Sequence, residues 1–181
     1  MASLWRGYTR LVERFPWGSQ IGQTGVLCAT GDVIAQLVVE RKSWSEFKFS
    51  RVGRFFIMGT CVVAPCLRSW YMVLERMVVY KGGKAALAKM LLDQSLFAPA
   101  FLAVFVSCAG KLQGNSFKEI RCKLDKDYVN IVTTNWKIWP AAQVLNFYLV
   151  PFQHRVLFVN VVALFWNTYL ASMTNSHEDS S

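Results

Sequence analysis

Charge is scarce in this chain. Asp, Glu, Lys and Arg make up 17% of its 181 residues, where a soluble domain carries about 25%. Histidine is scarcer still, with His154 and His177 each far from any cysteine. The five cysteines (Cys28, Cys61, Cys66, Cys108, Cys122) form no CxxC pair, so no metal site is expected. Four of them fall in apolar stretches, where Cys behaves as a small hydrophobe. Their odd number and the lack of a secretory signal argue against a disulfide framework. A glycine-rich phosphate loop, HExxH and GxSxG are also missing. The sequence gives no reason to expect an enzyme or a cofactor.

What the chain has is apolar residues: 54% hydrophobic, mean hydropathy +0.28, seven Trp and thirteen Phe. Soluble domains hold about 45–50% apolar residues. No linker or low-complexity tract divides the sequence, so residues 1–181 read as a single integral-membrane domain. The net charge of +9 is carried by Lys and Arg bordering the apolar stretches. Arg41, Lys42, Lys48, Arg51 and Arg54 form one such border, and Lys118, Arg121, Lys123 and Lys126 another. That dispersal suits anionic lipid headgroups better than a nucleic acid, which calls for basic residues and aromatics gathered on one polar face. The expected partner is the bilayer, without direct nucleic-acid binding. The oligomeric state stays open, a homo-oligomer included.

The expected fold is all-α: a multi-pass transmembrane helix bundle. A membrane-crossing helix needs roughly 20 mostly apolar residues. Four stretches qualify, at about 18–39, 54–74, 91–110 and 131–153, followed by a charge-free apolar helix at 156–173. Five full spans is the close alternative. At the start, Leu4, Tyr8, Leu11, Val12 and Phe15 recur at helical spacing among Arg6, Arg10 and Arg14, the pattern of an N-terminal amphipathic helix at a membrane surface. With four spans, the loop Lys and Arg divide eight against ten between the two sides, so charge does not decide the topology.

Polar groups at membrane depth carry the functional reading. Each costs free energy in hydrocarbon unless a neighbour or water satisfies it. Asp32 and Gln36 stand four apart on one helical face, beside Gly22, Gly25 and Ala29, whose spacing permits close helix approach. They either join helices, line a path, or lie near the headgroups. Asp32 would stay ionised beside a cation such as Arg68 or Lys137. Asp93 and Gln94 open the third stretch, as a helix cap or as an acidic channel mouth. Gln143 and Asn146 share one side of the fourth stretch. Pro65, Pro99 and Pro140 are expected helix breaks. Trp70, Trp136 and Trp139 suit the interfacial belt, where an amphipathic ring is favoured.

Particular blocks go further. Trp139-Pro140-Ala141-Ala142-Gln143, Asn146-Phe147, Val150-Pro151 and Arg155 form a specific late motif, continued by Trp166, Tyr169 and Leu170. Upstream, Gly31-Asp32 with Gln36, Pro65 with Trp70-Tyr71 and Leu74, and Asp93-Gln94 with Ala98-Pro99 follow in order. With these, the chain resembles the Mpv-seventeen, Sym-one and peroxisomal-membrane-protein family over roughly Leu4 to Ala171. Leu4-Trp5-Arg6, Pro16-Trp17 and Met90-Leu91-Leu92-Asp93-Gln94 look nearest to its mitochondrial branch. The resemblance implies a multi-pass protein of the mitochondrial inner membrane, the peroxisomal membrane being the alternative. It also implies a non-selective small-solute channel linked to membrane potential, reactive-oxygen control and mitochondrial DNA maintenance. The different-class alternative is a structural protein that organises a partner complex. Ala64 and Arg68 depart from the family pattern of Gly before Pro65 and His or Gly at 68, and Ala171 replaces a common Ser.

Overall fold

The computed structural model describes residues 14–79, 82–149 and 155–175. Every element among them is helical, with no strand. Helices satisfy their own backbone polar groups, as a segment in hydrocarbon must. Helix α1 (Pro16–Ile34) carries proline in its first turn, where a missing N–H leaves nothing unpaired. It continues through a π turn at Ala35–Val39. Helix α2 (Phe49–Met58), a π turn at Gly59–Val63 and α3 (Ala64–Met77) form one rod. Helix α4 (Gly83–Leu92), a π turn at Asp93–Phe97 and α5 (Ala98–Leu112) form the next. Helices α6 (Phe117–Tyr148) and α7 (Arg155–Asn175) follow.

Among the described residues, three rods are long and apolar enough to cross a membrane: Trp17–Val39, Phe49–Met77 and Gly83–Leu112. The second and third outrun the stretches 54–74 and 91–110 read from hydropathy. Lys and Arg in their end turns lower the hydropathy without stopping the helix. The second rod has 29 residues, about 44 Å of helix against about 30 Å of hydrocarbon. The excess is accommodated by tilt or by ends that reach the headgroups. The stretch 131–153 begins inside α6, whose 32 residues start well upstream at Phe117. Residues 150–153 of that stretch, and residues 1–13 of the expected amphipathic helix, lie outside the described residues. Helix α7 covers the apolar run 156–173.

The three prolines read as helix breaks all lie inside rods that continue past them. Pro65 and Pro99 each follow a π turn by one residue. The proline ring would strike the carbonyl four residues back, and a turn widened by one residue relieves that collision. Pro140 sits inside α6, which runs on to Tyr148.

Glycine sets how close the rods lie. A Cβ on Gly59 would sit 2.7 Å from the Gly25 Cα and 2.8 Å from the Thr24 carbonyl, so α1 and the second rod touch backbone to backbone. On the other side of α1, a Cβ on Gly31 would meet Asn167 Cβ at 2.6 Å and its carbonyl carbon at 3.0 Å, which brings α7 equally near. Gly22, expected in the same stripe, has nothing within 4 Å. Helix α1 thus runs between α2 and α7. The apolar core below this contact gathers Ala35, Phe55, Met58, Phe105, Ile131 and Trp166 with their neighbours.

Side-chain bonds fix the two ends of the bundle. At one end, Gln113 Nε2 donates to the Thr174 carbonyl (3.2 Å) and to Asn175 Oδ1 (2.7 Å), and Lys123 Nζ donates to the Thr174 carbonyl. Two of these bonds cap the Thr174 carbonyl at the C-terminal end of α7. Nearby, Ser116 and Glu119 close a capping box at the start of α6. At the opposite end, the Arg68 guanidinium lies over the Trp17 ring, 3.4 Å from its centroid. Lys89 pairs there with Glu75 at 2.5 Å.

Candidate functional site

Two polar clusters occupy different depths, and they are built differently. The first joins α1 to α2. Asp32, Gln36 and Arg51 are all fully buried. Arg51 Nε donates to Asp32 Oδ1 at 2.6 Å, while its two terminal nitrogens fork onto Glu40 at 2.8 and 2.6 Å. Gln36 Nε2 donates to Asp32 Oδ2 at 2.9 Å and to the Lys48 carbonyl at 3.3 Å. Its Oε1 accepts from the Lys48 N–H at 2.8 Å. Lys42 adds an ion pair to Glu40 at 3.1 Å.

The π turn at Ala35–Val39 makes this convergence possible. Eight residues of α-helix would carry Glu40 about 80° past Asp32, but one extra residue in the turn leaves only about 20° of offset. Asp32 and Glu40 then both aim at a single guanidinium. Arg41, in the left-handed region at φ 53°, reverses the chain. The Lys42 N–H bonds back to the Gln36 carbonyl at 2.9 Å.

Both oxygens of Asp32 and both polar atoms of Gln36 are therefore engaged. The cation beside Asp32 is Arg51, not Arg68 or Lys137. Arg51 was visible in the sequence as a loop charge, and only the helix start at Phe49 brings it inward. Burial would raise the Glu40 carboxyl, but hydrogen bonds and charge from Arg51, with Lys42, outweigh it and hold the group below its ordinary value. Chemically, this cluster is a strut whose donors and acceptors are engaged with one another.

The second cluster links the second rod, the third rod and α6. Trp70 Nε1 donates to Asp93 Oδ1 at 2.8 Å, and Gln94 Nε2 donates to Asp93 Oδ2 at 3.0 Å. Asn135 Nδ2 donates to Gln94 Oε1 at 2.8 Å, and Trp136 Nε1 to the Gln94 carbonyl at 2.8 Å. Asp93 does not open a helix: ten residues of α4 precede it, and it begins the π turn. A capping role at a helix start therefore falls away. Trp70 and Trp136, expected as interfacial anchors, each spend the indole N–H on a protein acceptor, and Trp136 keeps much of its ring exposed. Trp139 is half-buried and packs against the core.

Unlike the strut, this cluster is only half-buried at Asp93 and Gln94. Trp70 stacks on Phe97 (5.1 Å between centroids, 8°), and Phe97 on Phe101 (5.1 Å, 14°). This aromatic ladder holds the indole that reaches the carboxylate. Tyr128 ties α6 to the same rod, its hydroxyl donating to the Pro99 carbonyl at 3.0 Å. Gln143 is half-buried, about 12 Å further along α6 than Asn135. The Asn146 side chain lies outside the described residues. Arg68 belongs to neither cluster. Among the described residues, no group of three His, Cys, Asp or Glu side chains has the arrangement of a metal site.

An all-helical bundle with three hydrocarbon-length rods, braced inside by ionic and amide pairs, defines a multi-pass membrane protein. Residues 110–171 match the model of the Mpv17 / PMP22 family. The mitochondrial inner membrane protein Mpv17 of Xenopus laevis is 45% identical over 175 residues, 97% of this chain and 99% of that one. The Homo sapiens protein of the same name is 41% identical over 169 residues, 93% and 96% of the two chains. Protein sym-1 of Neurospora crassa is 40% identical over 158 residues, 86% and 90%. No solved structure matches. The chain belongs to the Mpv17 / PMP22 family, and it is a mitochondrial inner-membrane protein.

Proposed function

We propose that this protein passes small solutes across the mitochondrial inner membrane along the face carrying Asp93, Gln94, Asn135 and Gln143. The observation that supports this reading is the contrast between the two clusters. Asp32 is fully buried and bonded at both oxygens, whereas Asp93 keeps partial exposure deep within a hydrocarbon-length rod. A carboxylate there is costly unless wetted or paired, and its bonded neighbours are a neutral indole and a neutral amide. A wet face at that depth would attract cations and disfavour anions. Links to membrane potential, reactive-oxygen control and mitochondrial DNA maintenance belong to this proposal as consequences of solute passage. Purified protein in a planar bilayer should show discrete conductance, with Asp93→Asn lowering cation preference. Silent bilayers containing correctly folded protein would remove the proposal.

A second reading is favoured by the strut and by backbone-tight helix packing at Gly25 and Gly59. Both suit a structural protein that organises a partner complex. That reading predicts a stoichiometric crosslinked partner and polar faces closed to aqueous thiol reagents.

A further inference from the structure

The geometry points to a binding site for a phosphate-bearing anion in the cleft between the start of α1 and the outer half of α3. The cleft holds about 390 Å³ and is lined by Gln20, Arg68, Tyr71, Met72, Glu75 and Arg76. It belongs to neither polar cluster and does not depend on the channel reading.

Arg68 is the centre of the site. Its guanidinium lies over the Trp17 ring at 3.4 Å, an attraction strengthened where water is excluded. That stacking covers one face of the guanidinium and fixes its plane, leaving the N–H edge to act. Among the described residues, Arg68 Nε is shielded from solvent and has no hydrogen-bond acceptor. A buried N–H without an acceptor is costly, and an anion seated on the same guanidinium would repay part of that cost. Arg76 stands two helical turns further out on the same side of α3, about 12 Å along the axis. Both side chains reach the space between them. Glu75, the acid in the cleft, is already paired with Lys89, so it does not cancel the two arginines. Gln20 adds an amide.

Arginine presents paired N–H donors that match phosphate oxygens. The depth fits as well. Trp17 begins the first span, which puts the stacked Arg68 at the border between hydrocarbon and headgroups. Tyr71 and Met72 give the cleft an apolar wall, suited to the glycerol and upper acyl chain of a lipid. An anionic phospholipid and a free phosphate offer the same group to the arginines, and the experiment separates them.

Full-length protein is placed in phosphatidylcholine nanodiscs, with or without one tenth phosphatidylglycerol, and thermal unfolding is followed. A parallel arm titrates inorganic phosphate into discs of phosphatidylcholine alone. Wild type should be stabilised in one arm or both, and the responding arm identifies the source of the phosphate. Arg68→Gln should weaken that apparent affinity about 10- to 100-fold, the loss of charged hydrogen bonds. Arg76→Gln, at an exposed position that tolerates substitution, should weaken it by less. Arg68→Lys, which keeps the charge but loses the flat stack, should fall between wild type and Arg68→Gln. Stabilisation that is equal in wild type, Arg68→Gln and Arg76→Gln would overturn the site. So would a wild type that responds in neither arm.

Discussion

Removing Arg51 should be among the most damaging single changes available to this fold. Arg51→Met deletes three charged hydrogen bonds, one to Asp32 and two to Glu40. Asp32 would keep only its bond from Gln36 while remaining fully buried. Taking one partner from a buried ion pair costs about 3–5 kcal/mol, because the remaining charge is stranded. Native proteins hold only about 5–15 kcal/mol in total. For a chain of this size, each kcal/mol moves the midpoint by about 2–4 °C, so a fall of roughly 6–20 °C is expected. Asp32→Asn/Arg51→Met removes the stranded charge along with its partner. It should therefore be more stable than the sum of the single changes requires, by about 1–3 kcal/mol of coupling. Thermal unfolding in nanodiscs, read by tryptophan emission and by retention of a monodisperse peak, measures both quantities. If Arg51→Met stays within a degree of wild type, or the double variant is strictly additive, the strut does not hold the two rods together.

Acid should act through Glu40, whose folded carboxyl lies below its ordinary value near 4.5. Its contribution is present above that value and is lost as pH falls through the folded one. Glu40→Gln should then be less stable than wild type at neutral pH and show a flatter loss on acidification, measured as midpoint against pH. Gly59→Ala should lower the midpoint by the equivalent of about 1–3 kcal/mol, since its Cβ would press on the Gly25 backbone at 2.7 Å. Gly22→Ala, facing open space inside a helix, serves as the comparison in the same scan and should hold or raise the midpoint, since Ala favours helix over Gly.

The rods were readable because hydrocarbon imposes a length and a composition on any segment that crosses it. Their ends were not, because Lys84, Lys89 and Arg51 look like boundaries although the helices run through them. The late block from Trp139 to Arg155 carries the family plainly. The side-chain partners were less accessible to sequence reasoning. Asp32 and Gln36 announced themselves at i and i+4, yet Glu40 is in phase only because of a π turn that no residue type signals. Arg51, 19 positions from Asp32, reaches it by a chain reversal at Arg41 that periodicity does not reveal. Asp93 reads as a helix start because hydropathy begins the third stretch at 91. In the structure it lies a third of the way along a 30-residue rod, where Trp70 and Gln94 meet it. The stacking of Arg68 on Trp17 joins residues from separate rods, and neither shows a local pattern that would have paired them.

Aqueous thiol labelling tests the division between a sealed and a wet cluster most directly. Cys28, fully buried one turn before Asp32, serves as the native reporter on the strut side. Cys61, Cys66, Cys108 and Cys122 are replaced by Ala or Ser, and one new cysteine is placed by Gln143→Cys. In sealed, reconstituted vesicles a charged, membrane-impermeant reagent should modify position 143 and leave Cys28 untouched until the protein is unfolded. A silent position 143 in folded protein, or rapid modification of Cys28, would contradict the account.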